Sequence, residues 1–303
     1  MNNDQLQRYI FPDASVRGEL VQLNDSYARL IKSHNYPQAV KQLLGELLAA
    51  ATLLTATLKF KGEISLQIQS EGIIKYAVVD ATDNQEVRGI ARWDESVESW
   101  PENFTDLFQK GVLAITITPA KGERYQGLVG LTQPTLAECL EDYFTQSEQL
   151  PTKVKLFTDT KDEAVKAAGM LLQVLPRDAS ATDLTQHRTF SDLAVLTDTM
   201  TSDEILTLDA QTVMHRLYHE YDMELFSAQP VQFKCTCSRE RSANALKNIN
   251  KQELLGIIAE EGQIKVDCQY CHAEYNFDAL DVESIHAGFA ASMNDDSAAK
   301  NLS

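Results

Sequence analysis

The sequence predicts an α+β protein: an N-terminal mixed α/β core domain with antiparallel sheets, a helical linker, and a small cysteine-bearing domain. Three observations lead there. One long helix with apolar periodicity precedes several short extended runs joined by short turns, a pattern of antiparallel sheet rather than of βαβ units. An acidic, threonine-rich stretch then interrupts the globular pattern. Four cysteines follow as two close pairs.

The core is expected over residues 1–178. Asn35 and Pro37 supply a cap and first turn for a helix running to about Lys59. Val40, Leu43, Leu44, Leu47, Leu48, Ala51, Leu54 and Leu58 recur at three- and four-residue spacing, which makes one face apolar. Extended runs follow at Ile64–Gln69, Lys75–Val79, Glu86–Trp93, Val112–Thr118 and Tyr125–Leu131. Gly62, Gly72, Asp83-Asn84, Gly111 and Gly122 separate them as turn signals. Thr135 and Glu138 form a capping-box pattern that opens a helix carrying Leu136, Cys139, Leu140, Tyr143 and Phe144. On that helix Cys139 reads as buried packing. Two further strands are expected, Val154–Thr158 and Ala167–Val174, ending at Pro176.

The linker is placed at 179–232. Between Asp178 and Pro230 ten acidic residues face two arginines, a formal charge of -8, and eight threonines are present. Helical spacing persists at Ile205, Leu208, Thr212, His215 and His219, with Ser202 and Asp203 as possible starts. Thr and Asp are weak helix formers, so such a helix needs tertiary docking to persist. The competing reading is a solvated acidic tether.

Charge and length limit the function classes. Across 303 residues, 27 Lys+Arg stand against 44 Asp+Glu, a formal -17, and a chain this acidic repels phosphate backbones. The start, MNNDQLQRYIF, lacks the basic and apolar regions of a secretory signal, and no apolar run reaches membrane-spanning length. A cytoplasmic protein with no membrane or nucleic-acid partner is expected. Cytosolic thiols stay reduced, so the five cysteines point to metal binding or redox chemistry rather than to a disulfide framework. No phosphate-binding GxxxxGK[ST] run occurs, and the six scattered histidines offer no Ser/His/Asp arrangement, so an enzyme is not expected.

The chemistry concentrates in 233–290; the polar tail 291–303 is expected to be disordered. Cys235-Thr236-Cys237 and Cys268-Gln269-Tyr270-Cys271 are two close pairs, the layout of a tetrahedral zinc site with one Zn²⁺ per chain. Between them a helix is expected from Asn250, its cap, to Ala259; Gly262 ends it and an extended run, Gln263–Asp267, delivers the second pair. Four thiolates leave no open position, which argues against a hydrolytic metal. His272 could compete as a ligand but reads as a residue beside the site. Lys234, Arg239 and Arg241 form a small basic cluster, read as charge compensation for the thiolates. Zinc-bound cysteines stay deprotonated and open to oxidants. Neighbours within each pair, Cys235 with Cys237 and Cys268 with Cys271, are natural disulfide partners, and oxidation would release the metal.

The runs FKCTCSRERSANAL at 233–246 and EGQIKVDCQYCHAEYNFD at 261–278 resemble the zinc-binding end of the 33 kDa chaperonin (heat shock protein 33) family. YFTQSEQLPT at 143–152 and GMLLQVLP at 169–176 resemble that family's core signatures, so the similarity spans nearly the whole chain. The resemblance implies a redox-regulated, ATP-independent holdase. It further implies that the reduced, zinc-bound monomer would be inactive, and that oxidation would form the Cys235–Cys237 and Cys268–Cys271 disulfides, release zinc, open the linker and give a dimer that binds unfolding client proteins. Two other readings stand beside it: a zinc-ribbon regulator binding nucleic acid, and a zinc-stabilised scaffold with inert cysteines.

Overall fold

The computed structural model describes residues 4–32, 34–161, 164–175 and 184–287; the expected linker start (179–183), the end of the cysteine-bearing domain (288–290) and the tail (291–303) lie outside the described residues. The chain divides into two compact units, one up to Lys234 and one from Cys235.

The first unit opens with a hairpin, β1 (Gln5–Phe11) and β2 (Val16–Leu23), followed by α1 (Asp25–Lys32) and α2 (Gln38–Thr55). Strands β3 (Gly62–Gln69), β4 (Ile74–Thr82), β5 (Glu86–Trp93), β6 (Val112–Pro119) and β7 (Tyr125–Gly130) come next. After α3 (Leu136–Tyr143), strands β8 (Thr152–Asp159) and β9 (Lys166–Val174) return to the hairpin. The unit closes with α4 (Leu184–Asp198), α5 (Ser202–Thr207), α6 (Ala210–Tyr218) and three two-residue strands: β10 (Glu224–Leu225), β11 (Gln229–Pro230) and β12 (Gln232–Phe233). One sheet runs β10-β1-β2-β9-β8 with β11 also on β1; the other runs β12-β5-β4-β3-β6-β7. The pairings are antiparallel except that of β12 with β5. The expected antiparallel α+β class is what the chain adopts.

Helix α2 packs on strands of both sheets. A single apolar face is therefore too narrow a description: Ala49, Ala50, Thr52, Leu53 and Thr55 are buried as well. The two threonines avoid an unpaired polar group by donating to the Leu48 and Ala51 carbonyls at 2.8 and 2.6 Å. At Gly45 a Cβ would lie 2.7 Å from Thr158 Cγ2 and 2.8 Å from the Tyr27 ring, so any side chain would push the helix off its neighbours. Pro37 holds the cap position without a side-chain cap, and the helix ends at Thr55, short of Lys59. Thr135 caps α3 by accepting from the Glu138 N–H, and Cys139 is fully buried, as expected.

The opposite face of the first sheet carries a second core. Tyr9, Phe11, Val16, Leu20, Met170 and Leu172 are covered by Leu193 of α4, Ile205 of α5 and the Val213, Met214, Leu217 and Tyr218 stripe of α6. Residues 184–218 are thus docked helices and not a solvated tether. The single helix expected through Ile205–His219 is two, because Leu208 is extended at φ -87° and ψ 155°. Each piece has its own cap: a full Thr201–Glu204 capping box for α5, and Asp209 accepting from the Thr212 N–H for α6. At the break, Gln22 donates to the Ile205 and Leu208 carbonyls at 2.6 and 2.7 Å. The end of α4 is tied by Asp198, 2.9 Å from Lys153 and 3.4 Å from Lys155.

Among the described residues no helix is long and apolar enough to cross a membrane.

Candidate metal centre

The second unit contains α7 (Arg239–Leu246), α8 (Lys251–Glu261), a hairpin of β13 (Ile264–Asp267) and β14 (Glu274–Phe277), and α9 (Ala279–Ala287). Asn250 caps α8 by accepting from the Gln252 N–H, and Gly262 ends it in the left-handed region at φ 83°, as the sequence suggests. Its apolar core is small: Leu246, Leu254, Ile264, Phe277, Val282 and Ile285. A core this size seldom holds a unit folded without a staple.

The cysteine quartet is that staple's place. Cys235 and Cys237 precede α7, whose cap Ser238 accepts from the Arg241 N–H. Cys268 and Cys271 form the turn that joins β13 to β14. That turn is closed by the His272 N–H donating to the Cys268 carbonyl at 2.8 Å and the Cys268 N–H donating to the Ala273 carbonyl at 2.9 Å. All four sulfurs lie within 4.8 Å of one another. Across the two pairs, Cys235 Sγ approaches Cys268 Sγ at 3.5 Å and Cys237 Sγ approaches Cys271 Sγ at 3.4 Å. Thiolates bound tetrahedrally at ~2.3 Å stand about 3.8 Å apart, so the donor set fits one such cation.

The electrostatics agree with that chemistry. Burial raises the Cys235 thiol well above its ordinary range and pushes Cys271 up to about 11. At Cys268 burial acts the same way, but the N–H groups of Tyr270 and Cys271 and the neighbouring thiols favour its anion, and its pKa is lowered. Four sulfurs this close repel one another as anions, so full ionisation calls for a cation among them. Tyr275 of β14 donates to Cys237 Sγ at 3.2 Å, a partner the sequence reading missed; burial and that contact raise its own pKa. His272 is exposed in a left-handed conformation at φ 56°.

The residues of the basic cluster also make contacts of their own. Arg239 pairs with Asp281 at 2.6 Å, donates to the Asn276 carbonyl, and stacks over Phe277 at 4.5 Å, tying α7 to β14 and α9. Arg241 donates to the carbonyl and hydroxyl of Thr236 at 2.9 and 2.6 Å. Lys234, in the first unit, pairs with Glu86 at 2.6 Å.

Comparison with known proteins gives a consistent picture. A family model described as "Hsp33 protein" matches residues 4–278. A protein of Pseudoalteromonas atlantica named 33 kDa chaperonin is 54% identical over 297 residues, spanning 98% of this chain and all of the relative. One of the same name from Shewanella baltica is 51% identical over 287 residues, 95% of this chain and 97% of the relative. The crystal structure of the 33 kDa chaperonin (heat shock protein 33 homolog) of Thermotoga maritima shares the fold, with a TM-score of 0.78 at 24% identity, covering 94% of this chain and 98% of that one.

Proposed function

The chain belongs to the Hsp33 family of chaperones, and from that membership and the thiol cluster we propose that it is a cytoplasmic, ATP-independent holdase switched on by oxidation. The observation that carries the switch is the convergence of four sulfurs within 4.8 Å in a unit whose apolar core is too small to stand without help. Cys235, Cys237, Cys268 and Cys271 would hold one Zn²⁺. When bound, it keeps the sulfurs deprotonated and ties the start of the unit to its hairpin turn.

Oxidation acts on the chain's own sulfurs. Each pair of thiolates gives two electrons to hydrogen peroxide, whose O–O bond breaks and which takes up two protons from solvent to leave as two waters, while an S–S bond forms. We take the pairs as Cys235–Cys237 and Cys268–Cys271; cross-pairing is the competing outcome, because sulfurs of different pairs approach to 3.5 and 3.4 Å. Sulfurs so oxidised no longer carry the charge that holds a cation, and the small unit loses its staple.

The segment preceding that unit, 184–232, then opens as a linker from the core. Two of its three helices, α5 and α6, have only six and nine residues, and helices of that length depend on docking. Their departure uncovers the apolar face of Tyr9, Phe11, Val16, Leu20, Met170 and Leu172. Unfolding clients present apolar segments, and burying them on such a face is favourable. The active form would be a dimer and the reduced form a monomer. No comparison supports a nucleic-acid regulator.

The test measures aggregation suppression. Light scattering from a thermally unfolding client is recorded without ATP, with reduced or peroxide-treated protein, while a chromogenic chelator reports zinc. Suppression that appears as about one equivalent of zinc leaves supports the reading. Zinc release with no gain in client protection contradicts it.

A further inference from the structure

Helix α6 carries two imidazoles one turn apart, His215 and His219. The His219 N–H donates to the His215 carbonyl at 3.1 Å, so helical register holds across both. Both side chains are exposed, and their rings stack with centroids 5.8 Å apart and planes at 27°. The opposite side of the helix is fixed by buried Val213, Met214, Leu217 and Tyr218, and its start is capped by Asp209. The backbone that presents the two rings is therefore already ordered.

We propose that His215 and His219 form a second metal site, a two-imidazole chelate for a first-row divalent cation of the zinc class. Side chains at this spacing are neighbours, with Cβ atoms about 5–6 Å apart. Rotation of two exposed rings brings one nitrogen of each to a single ion at ~2.0–2.1 Å, with water completing the shell. Neutral imidazole suits zinc, nickel and copper, and two histidines four apart on one helix face supply the same pair of ligands that zinc peptidases use. Glu220 follows His219 directly in the chain, and Arg216, between the two histidines, is paired with Glu204 at 3.1 Å.

Such a site binds folded α6, where the two imidazoles are held one turn apart, more tightly than its unfolded form, so occupancy favours the docked helix by mass action. Resting on the chaperone reading, this makes free zinc an opponent of linker opening.

The test titrates Zn²⁺ into the reduced full-length protein against a chromogenic competitor. Wild type is compared with His215→Ala, His219→Ala and the double variant, all at exposed positions. Besides the tight cysteine-held step, the wild type should bind one weaker equivalent. Its affinity should fall roughly tenfold or more in either single variant, because the second imidazole of a chelate binds at high effective concentration. The double variant should lack it. The ring resonances of both histidines should shift together as that equivalent binds. The same zinc count and affinity in wild type and double variant would overturn the site. Failure of the four-cysteine reading would show differently, as loss of the tight step from all four proteins with the histidine-dependent difference intact.

Discussion

Replacing Ile205 by Ala should activate the protein without oxidation. Ile205 is fully buried in the second core, on a six-residue helix held between two breaks. The substitution removes three buried carbons, worth about 0.8 kcal/mol each, or about 2.4 kcal/mol in transfer terms. A residual cavity beside β2 and β9 brings the cost to about 3 kcal/mol, inside the ~2–5 kcal/mol range of such truncations. Once the helices have left the sheet, residue 205 is solvated in either protein, so the whole cost falls on the docked state. The open population then rises roughly 100-fold. The assay is client light scattering with the reduced, zinc-loaded variant at a temperature where the wild type gives no protection. Leu254→Ala, which damages the core of the cysteine unit instead, serves as comparison. The reasoning is refuted if Ile205→Ala lowers the melting temperature yet leaves the reduced protein inactive, with amides of α4–α6 as protected as in the wild type.

Three smaller perturbations test other parts of the account. Thr201→Ala removes the capping box of α5 and should cost about 1 kcal/mol, seen as a roughly fivefold gain in amide exchange confined to α5 and its neighbours; unchanged exchange would show that the cap does not hold the helix. Arg239→Lys keeps the charge but loses the fork that joins Asp281, the Asn276 carbonyl and the Phe277 face, so zinc should leave more readily at equal peroxide although no ligand has changed. Equal release rates would make that tie irrelevant to the metal site. Glu19, buried beside Arg17 and Arg8, has a pKa pushed up to about 7 by burial in spite of the arginines. Its folded-state pKa exceeds the unfolded one, so the stability it contributes is present at low pH and is lost as pH rises from about 4.3 through 7. Glu19→Gln should therefore raise the melting temperature at pH 8, by relieving on the order of 3 kcal/mol, and much less at pH 5; equal shifts at both would contradict the assignment.

The cysteine quartet was legible because ligand spacing is local: Cys235/Cys237 and Cys268/Cys271 announce themselves within three or four residues. The helix between them was legible for the same reason, with Asn250 and Gly262 as its end signals. The hairpin of β1 and β2 was not. Both faces of its sheet are buried, one under α2 and one under α4–α6, so Leu20 and Val21 are both fully buried and no period of two marks the strand. The same double burial broadened the apolar surface of α2 beyond one stripe. In the linker the spacing from Ile205 to His219 suggested a continuous helix, yet Thr201–Glu204 and Asp209–Thr212 were two separate start signals in the sequence. The stripe that docks is 213, 214, 217 and 218, which leaves the two histidines in solvent. The roles of Tyr275 and Arg239 depend on contacts 38 and 42 residues away in sequence, beyond the reach of any local pattern.

The central claim is that oxidation at the four cysteines is converted into release of α4–α6 from the first sheet. Hydrogen exchange read by peptide mass on one sample, before and after peroxide, tests it most directly when client scattering is followed in parallel. The account predicts that amides of 188–218 lose protection as client suppression appears, while β2 and β9 beneath them stay protected. Full client protection with 188–218 still protected would contradict it.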